Sequence, residues 1–361
     1  MMPTATTTQT SQHSEVMLNM TASASSPRTQ RIPALDFSKG TLVLLMVLYH
    51  WVNYFTQLPS RYYDYLRFLT PSFIFLAGFM ISHVYLSKYV AADPRLTKRL
   101  FTRGLKLIAV FIALNLARNL VVPILGTGGT VQHIPSLANL FSVFVSGDFP
   151  VLGGKLISFS ILVPISYLLM LSGVLMVPYR HYRYTFHVAC IVCLLFIVSL
   201  GLLGVRSYNL EFITFGLLGV FVGFMPITAI TGLRKHPYGL AIAYLCYVIA
   251  ITVWSVPFPL LVVGVSLTLI VIYLVGTGGN PAGDIRNEVI LLGKYSLFGY
   301  ISQIVILQIL SVGSRRFDLG FAWLTVSFFT AFSLTIMSVE AIDRARTRFG
   351  AVERLYKAIF A

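Results

Sequence analysis

The chain is written mostly in apolar runs about as long as a bilayer is thick, and the few polar positions inside those runs recur at helical spacing. Breaks at charge, Gly and Pro divide it into ten such runs, at 40–57, 67–87, 105–125, 156–177, 186–205, 212–232, 239–256, 260–276, 295–313 and 320–341. The pattern predicts an all-α polytopic membrane protein of about ten transmembrane helices. An even count puts both termini on one side. The seventh and eighth runs are split only by Val256-Pro257-Phe258-Pro259. The stretch 126–155 is too polar and Gly-rich to cross as one helix, so it is expected outside, as a lid over an external entrance.

The first run carries the least expected polar groups. In LDFSKGTLVLLMVLYHWVNYF, residues 35–55, the exceptions to apolarity include Asp36, Lys39, His50 and Asn53. An α-helix turns about 100° per residue, so Lys39 and His50 are roughly three full turns apart and share a face. Asp36 lies one turn before Lys39, and Asn53 one turn after His50. Along the axis, Lys39 and His50 stand roughly 16 Å apart, about half the hydrocarbon thickness. Ionisable groups at that depth face a bundle interior or a watery cavity, which makes the stripe a candidate functional site.

Composition agrees with the pattern. Of 361 residues, 57% are hydrophobic and 11% charged, and mean hydropathy is +0.81, outside the range of ordinary soluble domains. The net charge of +15 invites a nucleic-acid reading, but the basic residues gather in alternate short loops. That distribution is the positive-inside signature, so it argues against nucleic acid and for cytoplasmic termini. Cys190, Cys193 and Cys246 all lie in apolar runs, which indicates neither a disulfide scaffold nor a metal cluster. Residues 1–30 are rich in Ser and Thr and read as a disordered cytoplasmic tail, 31–343 as the membrane domain, and 344–361 as a cytoplasmic C-terminal tail.

Several motifs then occur in a familiar order. Arg31-x-x-x-Leu35-Asp36-x-x-Lys39-Gly40, an apolar run and Tyr49-His50 resemble the opening signature of the acyltransferase 3 family of membrane O-acyltransferases. The related heparan-α-glucosaminide N-acetyltransferase and periplasmic glucan succinyltransferase families open similarly. FLTPSFIFLAGFMISHVY at 68–85 resembles the family's second helix, KRLFTRGLKLI at 98–108 its basic segment before the third, and LLGKYSLFGYISQIVIL at 291–307 its penultimate helix. Two positions depart from the family pattern. Lys39 stands where Arg is commoner, which keeps the charge and loses the bidentate fork, and Gln303 stands where many members have His.

The resemblance implies an acyltransferase of a bacterial cytoplasmic (inner) membrane. Its donor would be acetyl-CoA or another acyl-CoA, its acceptor a hydroxyl of an extracytoplasmic or lipid-linked carbohydrate, and no metal would be needed. His50 is then the general base, since imidazole titrates near the working pH. Lys39 and Asp36 form the donor-side pair. Arg99, Arg103 and Lys106 are the candidate contacts to CoA phosphates. Asn53, Asn115 and Arg118 are the candidate acceptor contacts; Asn115 and Arg118 share a face of the third helix. Gln303 and Gln308 are expected as interhelical glue, and Glu340 as locally paired. A succinyltransferase of periplasmic glucans is a close alternative. A proton-coupled transporter using the same stripe as a relay is an alternative of another class.

Overall fold

The computed structural model describes residues 32–56, 58–86, 94–124, 142–147, 158–254, 256–278, 283–316 and 320–360. It is an all-α polytopic membrane protein. We label the principal helices α1 Pro33–Phe55, α2 Leu69–Met80, α3 Pro94–Ile124, α4 Leu162–Tyr179, α5 Thr185–Leu202, α6 Tyr208–Gly223, α7 Pro237–Val253, α8 Phe258–Gly278, α9 Asp284–Lys294, α10 Ser296–Arg316, α11 Gly320–Arg348 and α12 Gly350–Phe360. A π-helical turn, Ile81–Leu86, continues α2. The N-terminal tail and most of the expected lid at 126–155 lie outside the described residues.

Among the described residues, eight helices are long and apolar enough to cross a membrane, against ten expected. The other two runs are helical but altered. The sixth starts earlier, at Tyr208, and after Gly223 the chain bends by 89° into Ile227–Lys235. Pro226, which has no N–H to donate and holds an extended conformation (ψ 133°), stands at that corner. The seventh, α7, has 17 residues, about 26 Å of helix, slightly less than a hydrocarbon core. Its ends nonetheless reach the same two layers as its neighbours. Gly278, at the end of α8, lies against Arg234 just before α7. At the other end Arg61 donates to the Thr252 carbonyl, and Tyr65 OH lies 2.9 Å from Thr252 Oγ1.

The bundle therefore has two distinct ends. The Lys39 end gathers the starts of α1, α3, α7 and α10 and the ends of α4, α6, α8 and α11. There the His83 ring meets the Gly223 carbonyl (Nδ1–O 3.2 Å), Arg286 donates to Gly276 O (3.0 Å), and Lys294 pairs with Asp343 (2.8 Å). The loop arginines and lysines from 95 to 106, 180 to 183, 234 to 235 and 286 to 294 all fall there. Arg61, Arg67, Arg118 and Arg206 lie toward the opposite end.

Helices in lipid gain little from apolar burial against one another and associate by close packing at small residues. α9 lies so close on α1 that a Cβ at Gly293 would be 1.6 Å from the Asp36 carbonyl oxygen, and one at Gly40 would be 1.8 Å from Val289 O. This seam fixes the first turns of α1, where Asp36 and Lys39 sit. Val43, Leu292, Tyr295 and Val339 form a buried cluster directly above it, and Val47, Leu307 and Ala331 form the next layer.

The C-terminal segment expected as a tail is helical through Phe360. α12 turns back so that Tyr356 meets Tyr295 edge-on (5.5 Å) and Phe360 meets Phe298 (6.2 Å). The Arg346 guanidinium lies over both the Tyr295 and Tyr356 rings, at 5.2 and 4.1 Å, and pairs with Glu353. Glu340 is paired locally as expected, with Arg344 at 2.7 Å.

Candidate active site

The polar stripe of α1 begins with a closed ion pair. Lys39 Nζ donates to Asp36 Oδ1 at 2.6 Å, one turn apart and mostly buried. Lys39 also lines a cavity of about 170 Å³ whose other walls are almost wholly apolar, including Phe73 and Met80 of α2, Leu107 of α3 and Ile165 of α4. On the α10 side the cavity is lined by Ser296 and Tyr300.

Tyr300 is where this cavity meets His50. Its buried ring lies 6.4 Å from the His50 ring, 6.4 Å from Phe73 and 6.2 Å from Phe159. Among the described residues His50 is not one that lines the cavity, and Tyr300 borders both the cavity and the His50 ring. His50 also packs edge-on to Tyr49 at 5.2 Å. Asn53 follows one turn later, half-buried.

Arg99 and Arg103 share one aromatic partner, Tyr85, with guanidinium carbons 5.9 and 5.5 Å from its ring centre. Arg103 also donates to the Tyr85 hydroxyl. Leu107, one turn beyond Arg103, and Met80, just before the turn that carries Tyr85, both line the cavity. The arginine cluster is thus at the same mouth as Lys39. Lys106 is half-buried on α3 beside it.

Asn115 and Arg118 lie farther along α3, beyond the cavity. Asn115 is buried, and both its amide protons are used: Nδ2 donates to Phe111 O (2.9 Å) and Ser158 O (3.0 Å). Its Oδ1 accepts from Ser158 N (3.0 Å). The side chain clamps the backbone at 158 from both sides. Next to that clamp, Phe159 holds φ at +63°, a left-handed conformation that costs a bulky L-residue about 1–3 kcal/mol. Arg118 interacts electrostatically with Tyr54. Gln308 Nε2 reaches the Tyr54 hydroxyl (3.3 Å) and Ser158 Oγ (3.2 Å), which makes it the interhelical link expected of it. Gln303 differs from that expectation: it is fully buried, and neither amide atom has a hydrogen-bond partner among the described residues.

The nine candidate residues divide into three groups: a donor-end set at the cavity mouth (Asp36, Lys39, Arg99, Arg103, Lys106), His50 and Asn53 beyond it, and Asn115 with Arg118 on the third helix. Phe159 is the residue that the motifs did not single out. Tyr300 is the Tyr that closes the motif of the penultimate-helix segment 291–307, whereas nothing in the sequence marks a phenylalanine for positive φ.

Residues 31–125, α1 to the end of α3, match the family model described as heparan-alpha-glucosaminide N-acetyltransferase, catalytic. All nine candidate residues lie inside the match, and Phe159 and Tyr300 lie outside it. The match is to this family, named above as a relative of acyltransferase 3. No curated protein and no solved structure matches the chain. The matched segment relates this membrane protein to an acetyltransferase family.

Proposed function

We propose that the protein is a membrane acyltransferase that moves an acyl group, most simply acetyl, from cytoplasmic acyl-CoA to a hydroxyl of an extracytoplasmic or lipid-linked carbohydrate. One observation carries the reading. The acetyltransferase-related segment supplies one wall of a cavity that Lys39 and Tyr300 both line, with Arg99 and Arg103 near the Lys39 end and the Tyr300 ring 6.4 Å from that of His50. The crowding of cations at the Lys39 end supports a cytoplasmic orientation for that end, and the membrane implied by the resemblance is the inner membrane of a bacterium.

The donor fits this arrangement in charge and polarity. Arg99 and Arg103, already gathered on Tyr85, offer forks to CoA phosphates, and half-buried Lys106 adds a point charge. The apolar walls accept the thioester end. In the transfer step the acceptor oxygen bonds to the thioester carbonyl carbon while His50 removes the hydroxyl proton. Collapse breaks the C–S bond, and the proton passes to the departing CoA sulfur. An acyl-imidazole on His50 balances equally and leaves the same products. On this reading Arg118 and Asn53 contact the acceptor, while Asn115, its amide engaged by Phe111 and Ser158, holds the wall around it.

A second reading differs only in the acceptor. The matched family's name specifies an N-acetyltransferase of a glucosaminide, which favours an amino group over a hydroxyl as the nucleophile. One experiment tests both readings. Purified protein in nanodiscs receives radiolabelled acetyl-CoA with glycans presenting hydroxyls only, or with free amino sugars. Wild type is expected to label one class, and His50→Ala to lose about 100-fold or more of the rate. A folded protein that neither binds nor cleaves any acyl-CoA, while His50→Ala abolishes proton-coupled flux in proteoliposomes, overturns the proposal in favour of a transporter.

A further inference from the structure

We propose that Tyr300, Phe159 and Phe73 form an aromatic gate between the donor cavity and His50, and that Asn115 is a positioning residue that holds it shut. This rests on the acyltransfer reading for its purpose, but its geometry is independent of that reading. Phe73 and Phe159 lie at centroid distances of 6.4 and 6.2 Å from Tyr300, and the His50 ring lies 6.4 Å from the same ring. In this proposal a thioester in the cavity reaches His50 by passing this cluster.

The backbone supplies the means of closure. Phe159 does not rest in a relaxed conformation; at φ +63° it is held against its preference, immediately before α4, where Leu162 N donates to its carbonyl (3.0 Å). The two-sided clamp of Asn115 on Ser158 stands directly beside it. Gln308, by donating to Ser158 Oγ, ties the same residue to α10, the helix that carries Tyr300. Clamp, strained residue and ring cluster therefore form one connected unit reaching from α3 to α10. Strained backbone of this kind persists only where its surroundings over-determine it, and it favours a segment that moves when the restraint is relieved. A closed gate keeps water from the His50 side away from the thioester, so acyl groups are transferred rather than hydrolysed.

The test measures access without needing activity. His50→Cys is placed in a background where Cys190, Cys193 and Cys246 are Ser, and inside-out vesicles, which expose the Lys39 end, receive a membrane-impermeant methanethiosulfonate. With the rings intact, the introduced thiol is expected to react slowly. Tyr300→Ala, or Phe159→Gly, which removes a ring and relieves the strained φ together, is expected to speed labelling about tenfold, the factor set by losing one or two aromatic contacts. Tyr300→Phe, which keeps the ring, is expected to leave it unchanged. In the parallel assay on the native His50 protein, Tyr300→Ala and Asn115→Ala should raise acyl-CoA hydrolysis relative to transfer. Equal labelling in folded Tyr300→Ala, Phe159→Gly and parent vesicles overturns the gate. A wild type inert toward every acyl-CoA, with the labelling pattern intact, overturns only the acyltransfer reading.

Discussion

At the Lys39 end charges close on one another: Asp36 on Lys39 at 2.6 Å, Asp343 on Lys294 at 2.8 Å, and Glu340 on Arg344 at 2.7 Å. At the opposite end, among the described residues, they do not. Asp64 and Arg67 reach only 4.0 Å. Half-buried Glu211 feels both Arg67 and Arg206 without a close ion pair to either, and the three line a cavity of about 230 Å³. One end is tied down, and the other keeps its charges apart around open space. The contrast suits the proposed division of labour. A donor of fixed chemistry is served by preorganised groups, whereas a large carbohydrate needs adaptable ones.

The sharpest way to break this contrast is to pry open the tied end. Gly293→Val forces side-chain atoms into the space of the Asp36 carbonyl oxygen, 1.6 Å from the new Cβ. Neither backbone can retreat without unpacking α9 from α1, so a loss of about 3 kcal/mol or more is expected, seen as loss of monodisperse protein or a collapsed melting temperature. Gly201→Ala, near the opposite end of α5 with nothing within 4 Å, is expected to change stability by no more than about 0.5 kcal/mol. Equal tolerance of both would mean that the seam is not a close contact.

Next in size is the ion pair itself. Lys39→Met leaves a mostly buried Asp36 carboxylate without its cation, at a cost of about 3 kcal/mol, and adding Asp36→Asn should restore most of it. Thermal melts of the two single variants and the double variant check this. Asp64→Asn at the open end should cost under about 0.5 kcal/mol, since a partly exposed pair at 4.0 Å contributes little. Sharpening the functional side, Arg206→Ala and Glu211→Gln are expected to raise the acceptor KM by about tenfold while leaving donor KM and kcat near wild type. A fall in kcat with unchanged acceptor KM would remove that end from acceptor binding.

The sequence made the tied end far more legible than its partners in space. Asp36, Lys39 and His50 sit on one helix, so turn geometry alone aligns them, and Lys39 does close on Asp36 one turn away. The Arg99 and Arg103 pair was also visible, but its partner Tyr85 belongs to the preceding helix, and helical spacing says nothing about neighbours across a bundle. Tyr300 and Ser158 reach the site from residues far along the chain, where only packing brings them in. The sixth run reads as unbroken over 212–232 because its apolar pattern continues through Phe224 and Met225, and the corner at Pro226 shows only in the fold. The strained Phe159 had no compositional signal, because Gly or Asn is the residue that announces positive φ.

The smallest expected effect lies at the outer rim of the tied end, where α12 folds back. Hydrogen bonds from Arg346 and Lys357 hold the Glu353 carboxyl down to about 2. A carboxylate with a depressed folded pKa adds stability that is fully present above its unfolded value, roughly 4.3, and is lost as pH falls through the folded value. Docking of α12 should therefore be constant from pH 5 to 8 on this account and weaken only below about pH 4. Because the group is exposed, solvent screening keeps the contribution small, and the packing of Tyr356 and Phe360 on α10 carries most of the contact. Glu353→Gln removes the charge at every pH, so it should lower the amide protection factors across 350–360 slightly and make them independent of pH down to acid pH. Tyr356→Ala, which removes the ring that Arg346 and Tyr295 share, should lower them far more. If Glu353→Gln loosens α12 as much as Tyr356→Ala does, electrostatics rather than packing ties this end, and the contrast with the open charges around Glu211 becomes one of kind rather than degree.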